Sequence, residues 1–369
     1  MQCDSLGIAY PVVDISQCTD CGRCSNVCPF QNIIEPLIHT HCYAAVNRNE
    51  EIRLESSSGG VFFELANQII SRGGVVFGAT FSKDWNVIHT YAETSDKVLP
   101  MIGSKYVQSD TSGTFNQAKH FLNSGREVMY TGTPCQIAGL KHFLNKDYPG
   151  LLCVEVICHG VPAPKIWNTY LKELILKSTK DQISSTTGTE LNNIIGIKFR
   201  SKLTGWKNYG FNLQIVNEGN KTDIYEKYRE NQYMTAFLSN YTLRPSCYAC
   251  KCKAGTSQAD ITIGDFWGID KTAITEDDDK GVSCVICRSG KGSNMINNLE
   301  GLALTKVGYD DIFRHNPSLE KSVTYTYAAK RFQLKFPRKG FFKTLQIVQH
   351  PSIFIRGIYY IKRKLTSLI

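Results

Sequence analysis

Apolar positions along this chain recur with two periods, and the alternation between them describes an α/β protein. Compact apolar runs at Val75–Phe81, Val87–Tyr91, Glu127–Tyr130 and Leu151–Cys158 read as strands, the first two joined by a hairpin-like turn at Asp84–Asn86. Helical periodicity covers Val61–Ile70, Thr114–Leu122, Gln136–Leu144 and Pro164–Leu176, with Gly73 and Gly74 stopping the first of these. Strand and helix alternate at this spacing in parallel sheets with helices on their faces. Beyond the polar stretch Ser178–Asn193, strand-like runs return at Ile194–Phe199, Phe211–Val216, Ile261–Ile263 and Val282–Cys287, and suggest an added sheet region. Near the start, Tyr10–Cys18 reads as a short strand delivering the chain into a cysteine-rich loop.

That loop carries the most specific chemistry. Cys18, Cys21, Cys24 and Cys28, followed by Pro29, spell the C-x2-C-x2-C-x3-C-P run of ferredoxin-type iron–sulfur sites. Three thiolates two residues apart wrap three corners of a cubane, and Gly22 allows the tight turn beneath. A zinc knuckle seldom needs four cysteines so close, and a disulfide set needs an oxidising compartment. The chain therefore handles single electrons. Cys247 and Cys250, on a loop after Arg244-Pro245, form half of a second metal site whose partners lie among Cys3, Cys28, Cys42, Cys135 and Cys158. Cys153, Cys284 and Cys287 sit in apolar runs and read as core thiols.

A 369-residue chain is too long for a ferredoxin alone, so the electrons need a second carrier. Three glycine-containing turns offer phosphate-binding backbone: Ser57, Ser58, Gly59 and Gly60; Ser104 and Lys105; and Thr131, Gly132, Thr133, Pro134, Cys135 and Gln136 at a strand–helix junction. Together they point to a nucleotide or flavin site. His159 ends a strand where open α/β sheets present functional groups, as a proton donor or flavin contact, or as a hydrogen-bonded structural histidine. Asp265 holds a ribose or ring nitrogen, or caps its turn. Lys198 and Arg200 share a strand face suited to an anion.

Charge changes the picture at one end. The net charge is +9, yet the 11 Lys and Arg from Lys321 onward face no Asp or Glu, so the remainder is close to neutral. These cations interleave with Phe336, Phe341, Phe342, Leu345, Ile347 and Val348, then Ile353, Phe354, Ile355, Ile358, Tyr359 and Tyr360. The pattern describes a basic amphipathic helical tail, either packed on the body or lying on a membrane surface. Nucleic acid is excluded as a partner for want of a basic patch or recognition motif on the body. No leader pattern opens the sequence, and no apolar run reaches the roughly 20 residues of a bilayer span. A cytoplasmic protein is expected, with a peripheral position at the inner membrane face available through the tail.

Six stretches resemble one family: Ser56–Gly60, Gly103–Ser109, Gly132–Gln136, Cys158–Pro162, Arg244–Cys250 and Asp260–Gly268. The resemblance, from about Tyr10 to Ile296, is to the beta subunits of coenzyme F-420 hydrogenases and dehydrogenases. It implies an FAD-binding iron–sulfur flavoprotein that passes electrons between a 4Fe-4S cluster and a hydride acceptor. The implied fold is α+β or α/β: a ferredoxin-like module over 1–45, a family N-terminal α/β domain over 46–125, a mixed-sheet flavin-binding domain over 126–300, and the basic tail over 301–369. Similar bacterial chains are associated with polysaccharide synthesis. Implied partners are a redox protein or reduced ferredoxin and a small-molecule hydride acceptor. The alternative is a non-catalytic electron-transfer or assembly partner of a membrane-associated polysaccharide enzyme. Many relatives carry two consecutive cysteine runs and this chain shows one, which leaves one or two clusters open.

Overall fold

A computed structural model describes residues 1–38, 40–180, 191–217, 219–271 and 277–350. In chain order, β1 (Gln2–Cys3) and β2 (Ala9–Tyr10) pair antiparallel, and the cysteine loop follows with the short α1 (Arg23–Asn26). Then come β3 (His41–Asn47), α2 (Glu50–Glu55), α3 (Val61–Ser71), β4 (Val75–Phe81), β5 (Val87–Ala92), α4 (Ser95–Val98) and α5 (Thr114–Asn123). The alternating region is β6 (Val128–Gly132), α6 (Pro134–Leu144), β7 (Leu151–Val156) and α7 (Pro164–Lys180). A three-stranded ribbon, β8 (Ile194–Ser201), β9 (Gly210–Asn217) and β10 (Asn220–Lys227), precedes α8 (Gln232–Leu238). The chain closes through β11 (Ile261–Asp265), β12 (Ser283–Cys287), α9 (Gly290–Asn297), β13 (Leu302–Lys306), α10 (Tyr309–Phe313), α11 (Tyr327–Lys339) and α12 (Phe341–Gln349).

One eight-stranded mixed sheet, ordered β13-β3-β12-β11-β7-β6-β4-β5, organises the molecule. β4, β6, β7 and β11 run parallel; β5, β12 and β3 are antiparallel to their neighbours. The parallel strands are largely apolar because both faces are covered, and the polar Thr131, Glu155 and Thr262 within them are buried. On one face α3 buries Val61, Leu65, Ala66 and Ile69 against Met129, Leu152 and Val285. On the other, the cluster around Phe77, Tyr130, Ile137 and Leu140 packs under α5 and α6.

Four expectations change. The strand expected over Tyr10–Cys18 stops at Tyr10, since Pro11 has no N–H to donate and residues 11–15 are exposed. The runs at 261–265 and 283–287 do not join the added sheet of β8–β10; they are interior strands of the large one. β3 was not anticipated at all, although it lies between β12 and β13. Finally, the described part of the tail packs on the body: Phe332, Phe336, Phe341, Leu345 and Val348 join a core with Trp167, Tyr170, Phe199, Phe211 and Tyr233. Glu173 fixes this corner by accepting the Phe341 and Phe342 N–H groups, each at 3.0 Å, at the start of α12. The apolar positions from Ile353 to Tyr360 lie outside the described residues.

Trp167 sits at the centre of that aromatic core, fully buried, with Nε1 donating to the Trp85 carbonyl at 2.8 Å. Trp167→Ala should cost about 3–5 kcal/mol, while Leu334→Ala, at a position 69% exposed, should stay within about 0.5 kcal/mol. Denaturant unfolding of the two variants checks the difference.

Candidate functional site

The parallel strands all finish at one edge of the large sheet, and the turns read as functional gather there. β6 runs into Thr133, β7 into Cys158-His159-Gly160 and β11 into Asp265-Phe266-Trp267. Because β12 is antiparallel, its first residue, Ser283, lies at the same edge. The Ser56–Gly60 turn is sewn to it: Gly59 N donates to Ser283 Oγ (2.9 Å), Asn47 N to the Gly59 carbonyl (2.7 Å), and Ser58 Oγ to the Val282 carbonyl (2.6 Å). Only glycine fits at 59, where a Cβ would collide with the Ala45 carbonyl and the Ser283 backbone. Gly60 adopts φ 85° and opens α3 without any side-chain cap, which leaves first-turn N–H groups free for an anion. Ser57 Oγ accepts from Ser104 N at 2.6 Å and so joins two of the three glycine turns.

The third turn is differently used. Thr133 and Gln136 form a capping box, with Pro134 at the first helical position, so α6 satisfies part of its own N-terminus. Thr131 Oγ1 donates to the Phe77 carbonyl (2.7 Å), and the Gln136 amide donates to Ser109 (2.8 Å). Two further expectations need correction. Lys105 turns its buried ammonium onto the carbonyls of Met101, Ile102 and Gly103, 3.1–3.2 Å away, rather than outward to a phosphate. The Asp265 carboxylate is fully committed: Arg200 binds it through two nitrogens at 2.8 and 2.9 Å, and Trp206 Nε1 donates at 2.8 Å. That removes Asp265 from the ribose or ring-nitrogen role. Arg200 and Lys198 equally meet protein, not ligand, since Lys198 pairs with Glu55 at 2.6 Å.

His159 faces Asn240, with Nε2 2.6 Å from Oδ1, and its ring meets Phe237 edge-on at 5.2 Å. Asn240 takes the left-handed conformation, φ 64°, to present that oxygen. An acceptor at Nε2 selects the Nε2–H tautomer and leaves Nδ1 as a base. Burial lowers the pKa below the ordinary imidazole value, so the ring is neutral at pH 7.

The cysteines fall into two sets. Cys18, Cys21 and Cys24 are exposed and Cys28 half-buried, all as free thiols, on a loop that turns at Gly22 (φ 67°) and is tied by Asn32 Nδ2 to the Ser25 carbonyl (2.7 Å). The second set lies beneath. Burial is the chief cause that raises the thiols of Cys135, Cys158 and Cys247; nearby sulfurs add to it, Cys250 at Cys135, Cys135 and Cys247 at Cys158, and Cys135 and Cys250 at Cys247. Cys252 donates to Cys250 and draws that sulfur down toward the thiolate form. Of the partners proposed for Cys247 and Cys250, Cys135 and Cys158 lie within electrostatic reach of them; Cys42 is buried beside Cys287 instead. No three Cys, His, Asp or Glu side chains among the described residues already converge in a metal-ready arrangement. The donor chemistry fits iron all the same, with no thiol tied up in a disulfide.

The segments that carry the two sets touch. Lys251 Nζ reaches the Phe30 carbonyl (3.4 Å), Arg244 lies over the Tyr10 ring (5.4 Å), and Gln258 Nε2 donates to the Glu35 carbonyl (2.7 Å). Lys253, which sequence reasoning missed, donates to the Cys158 carbonyl at 2.5 Å and is buried. Lys202, also missed, was the third member of the Lys198, Arg200 alternation on β8.

Comparison with known proteins then identifies the chain. Residues 125–307 match the family model for the C terminus of the coenzyme F420 hydrogenase/dehydrogenase beta subunit. Over that stretch, just under half of its length, the chain is similar to that beta-subunit family. Residues 10–33 match a 4Fe-4S binding domain, so the chain carries an iron–sulfur module of oxidoreductase type. A chain of the F420-reducing [NiFe] hydrogenase complex from Methanosarcina barkeri aligns at 16% identity with a TM-score of 0.48, over 82% of this chain and 96% of that one. A search of curated protein sequences gives no match. Among the described residues of this beta-subunit relative, no helix is long and apolar enough to cross a membrane.

Exposure orders the thiols. Brief anaerobic alkylation of metal-free protein should label Cys18, Cys21 and Cys24 first and leave Cys153 and Cys284 unlabelled until denaturant is added. Mass spectrometry of the peptides reads the order, and early labelling of Cys153 would contradict the fold.

Proposed function

We propose that this protein is a flavin-dependent iron–sulfur oxidoreductase that relays electrons from two adjacent 4Fe-4S clusters to FAD and on to a hydride acceptor. What supports this reading is that the segments carrying the two cysteine sets touch, beside the edge where the uncapped start of α3 gathers with its partner turns. Cys18, Cys21 and Cys24, with Cys28, would hold the outer cluster; Cys135, Cys158, Cys247 and Cys250 would hold the inner one. Bound FAD would supply the exchange between single electrons and a hydride.

The chain's own residues do the rest. Exposed thiols put the outer site within reach of a redox partner protein or reduced ferredoxin. The Ser57–Gly60 backbone receives the anionic part of the cofactor through its free N–H groups. Neutral His159, oriented by Asn240, is available to take a proton at Nδ1. Lys253 places positive charge beside the inner thiolates and so favours reduction there. The family resemblance further suggests an acceptor linked to polysaccharide synthesis and a cytoplasmic setting.

Anaerobic reconstitution with iron, sulfide and FAD tests the proposal. The wild type should bind about eight iron atoms, and Cys21→Ser and Cys247→Ser should each lose about four. Flavin absorbance should bleach on dithionite. A colourless protein, or one that binds iron but never flavin, would end this reading; the second outcome would favour a non-catalytic electron-transfer or assembly role.

A further inference from the structure

Lys198 and Arg200 on β8 and Lys202 just past its end stand at alternate positions, and the last two grip the carbonyl side of the Ser57–Gly60 turn. Arg200 Nη2 donates to the Ser57 carbonyl at 3.2 Å, and Lys202 Nζ to the Ser58 carbonyl at 2.7 Å. Lys202 is otherwise spent on the carbonyls of Arg53 and Lys280, both at 2.6 Å. All three of its protons therefore go to backbone oxygens, from α2, from the turn and from the loop before β12. Its nearest carboxylates are held by other cations, Asp265 by Arg200 and Asp278 by Arg53 (2.6 and 2.8 Å).

A trans peptide points its C=O and N–H in opposite directions. Anchoring the Ser57 carbonyl on Arg200 thus turns the Ser58 N–H away from the clamp, and anchoring the Ser58 carbonyl on Lys202 does the same to the Gly59 N–H. The second consequence is visible directly, since Gly59 N donates to Ser283 Oγ on the far side. Ser58 N has no acceptor among the described residues, and it leads into the uncapped first turn of α3.

We propose that Arg200 and Lys202 are positioning residues that set two consecutive peptide planes so that the turn presents the Ser58 N–H and the first N–H groups of α3, and no carbonyl, to a diphosphate, with the Gly59 N–H held by Ser283. The inference rests on the flavin reading above and names the part of the flavin that the turn receives: the pyrophosphate of FAD, not its ring. Without the clamp either peptide can rotate, and a carbonyl oxygen then faces the anion.

Lys202→Met tests this, because it keeps the aliphatic stem and removes the three donors. Binding of FAD and of riboflavin, which lacks the diphosphate, is measured by fluorescence quenching on reconstituted protein, with thermal unfolding in parallel. The expected result is about a tenfold rise in the Kd for FAD with that for riboflavin changed less than about twofold. Lys198→Met, at an exposed ion pair on the same strand face, should change neither. Lys202→Gln, which retains an amide donor, serves the same comparison if the methionine variant does not fold. Equal weakening of FAD and riboflavin, or no weakening of either, overturns the positioning role. A wild type that binds neither ligand overturns the flavin reading and this inference with it.

Discussion

The ion pair between Arg200 and Asp265 holds the small sheet against the end of the large one, beside the candidate site. Arg200 is 3% exposed in its side chain and Asp265 17%. Burial opposes the guanidinium charge, but Asp265, Tyr106 and Tyr209 outweigh it and keep the group firmly protonated. The pair is enclosed by aromatic surface: Arg200 lies 3.9 Å from the Tyr209 ring centre and 5.2 Å from that of Trp267, which stacks on Trp206 at 4.9 Å. Breaking one partner of such a pair costs about 3–5 kcal/mol, because the survivor stays buried and uncompensated. An ion pair so enclosed fixes register more than it adds stability. It sets β8 over the Ser57–Gly60 turn, and through that turn over β12 and the start of α3.

The same edge joins fold to electron flow. Parallel strands deliver Cys135 and Cys158 to one side of the sheet end, and a loop after α8 brings Cys247 and Cys250 over them. The N-terminal loop then settles on that loop through Lys251 and Arg244. On the proposed reading, electrons arriving at an exposed iron–sulfur site would meet a buried one before any hydride chemistry. Burial that raises the metal-free thiols would be offset on metal binding, which takes the thiolate form and releases protons.

Much of this was legible in the sequence, and the losses have physical causes. The cysteine run was readable because its members are local, and the parallel strands because burial on both faces makes them largely apolar. β3 was hidden: His41-Cys-Tyr-Ala-Ala-Val-Asn is short, alanine-rich and next to the cysteine loop, and its strand identity comes from β12, some 240 residues later in register. Asp265 looked like a cofactor ligand because nothing local claims it; its claimant, Arg200, sits 65 residues earlier. Lys202 gave no signal beyond alternation. Partners for Cys247 and Cys250 could be narrowed to five and no further, since the choice is made by the sheet.

The central claim is that two iron–sulfur sites stand side by side at the flavin end of this sheet. Electron paramagnetic resonance of the anaerobically reconstituted, dithionite-reduced protein tests it most directly. The account predicts two reduced-cluster signals broadened by mutual coupling, collapsing to one narrow signal when Cys247 is replaced by Ser. A single narrow signal in the wild type, unchanged by that replacement, would contradict it.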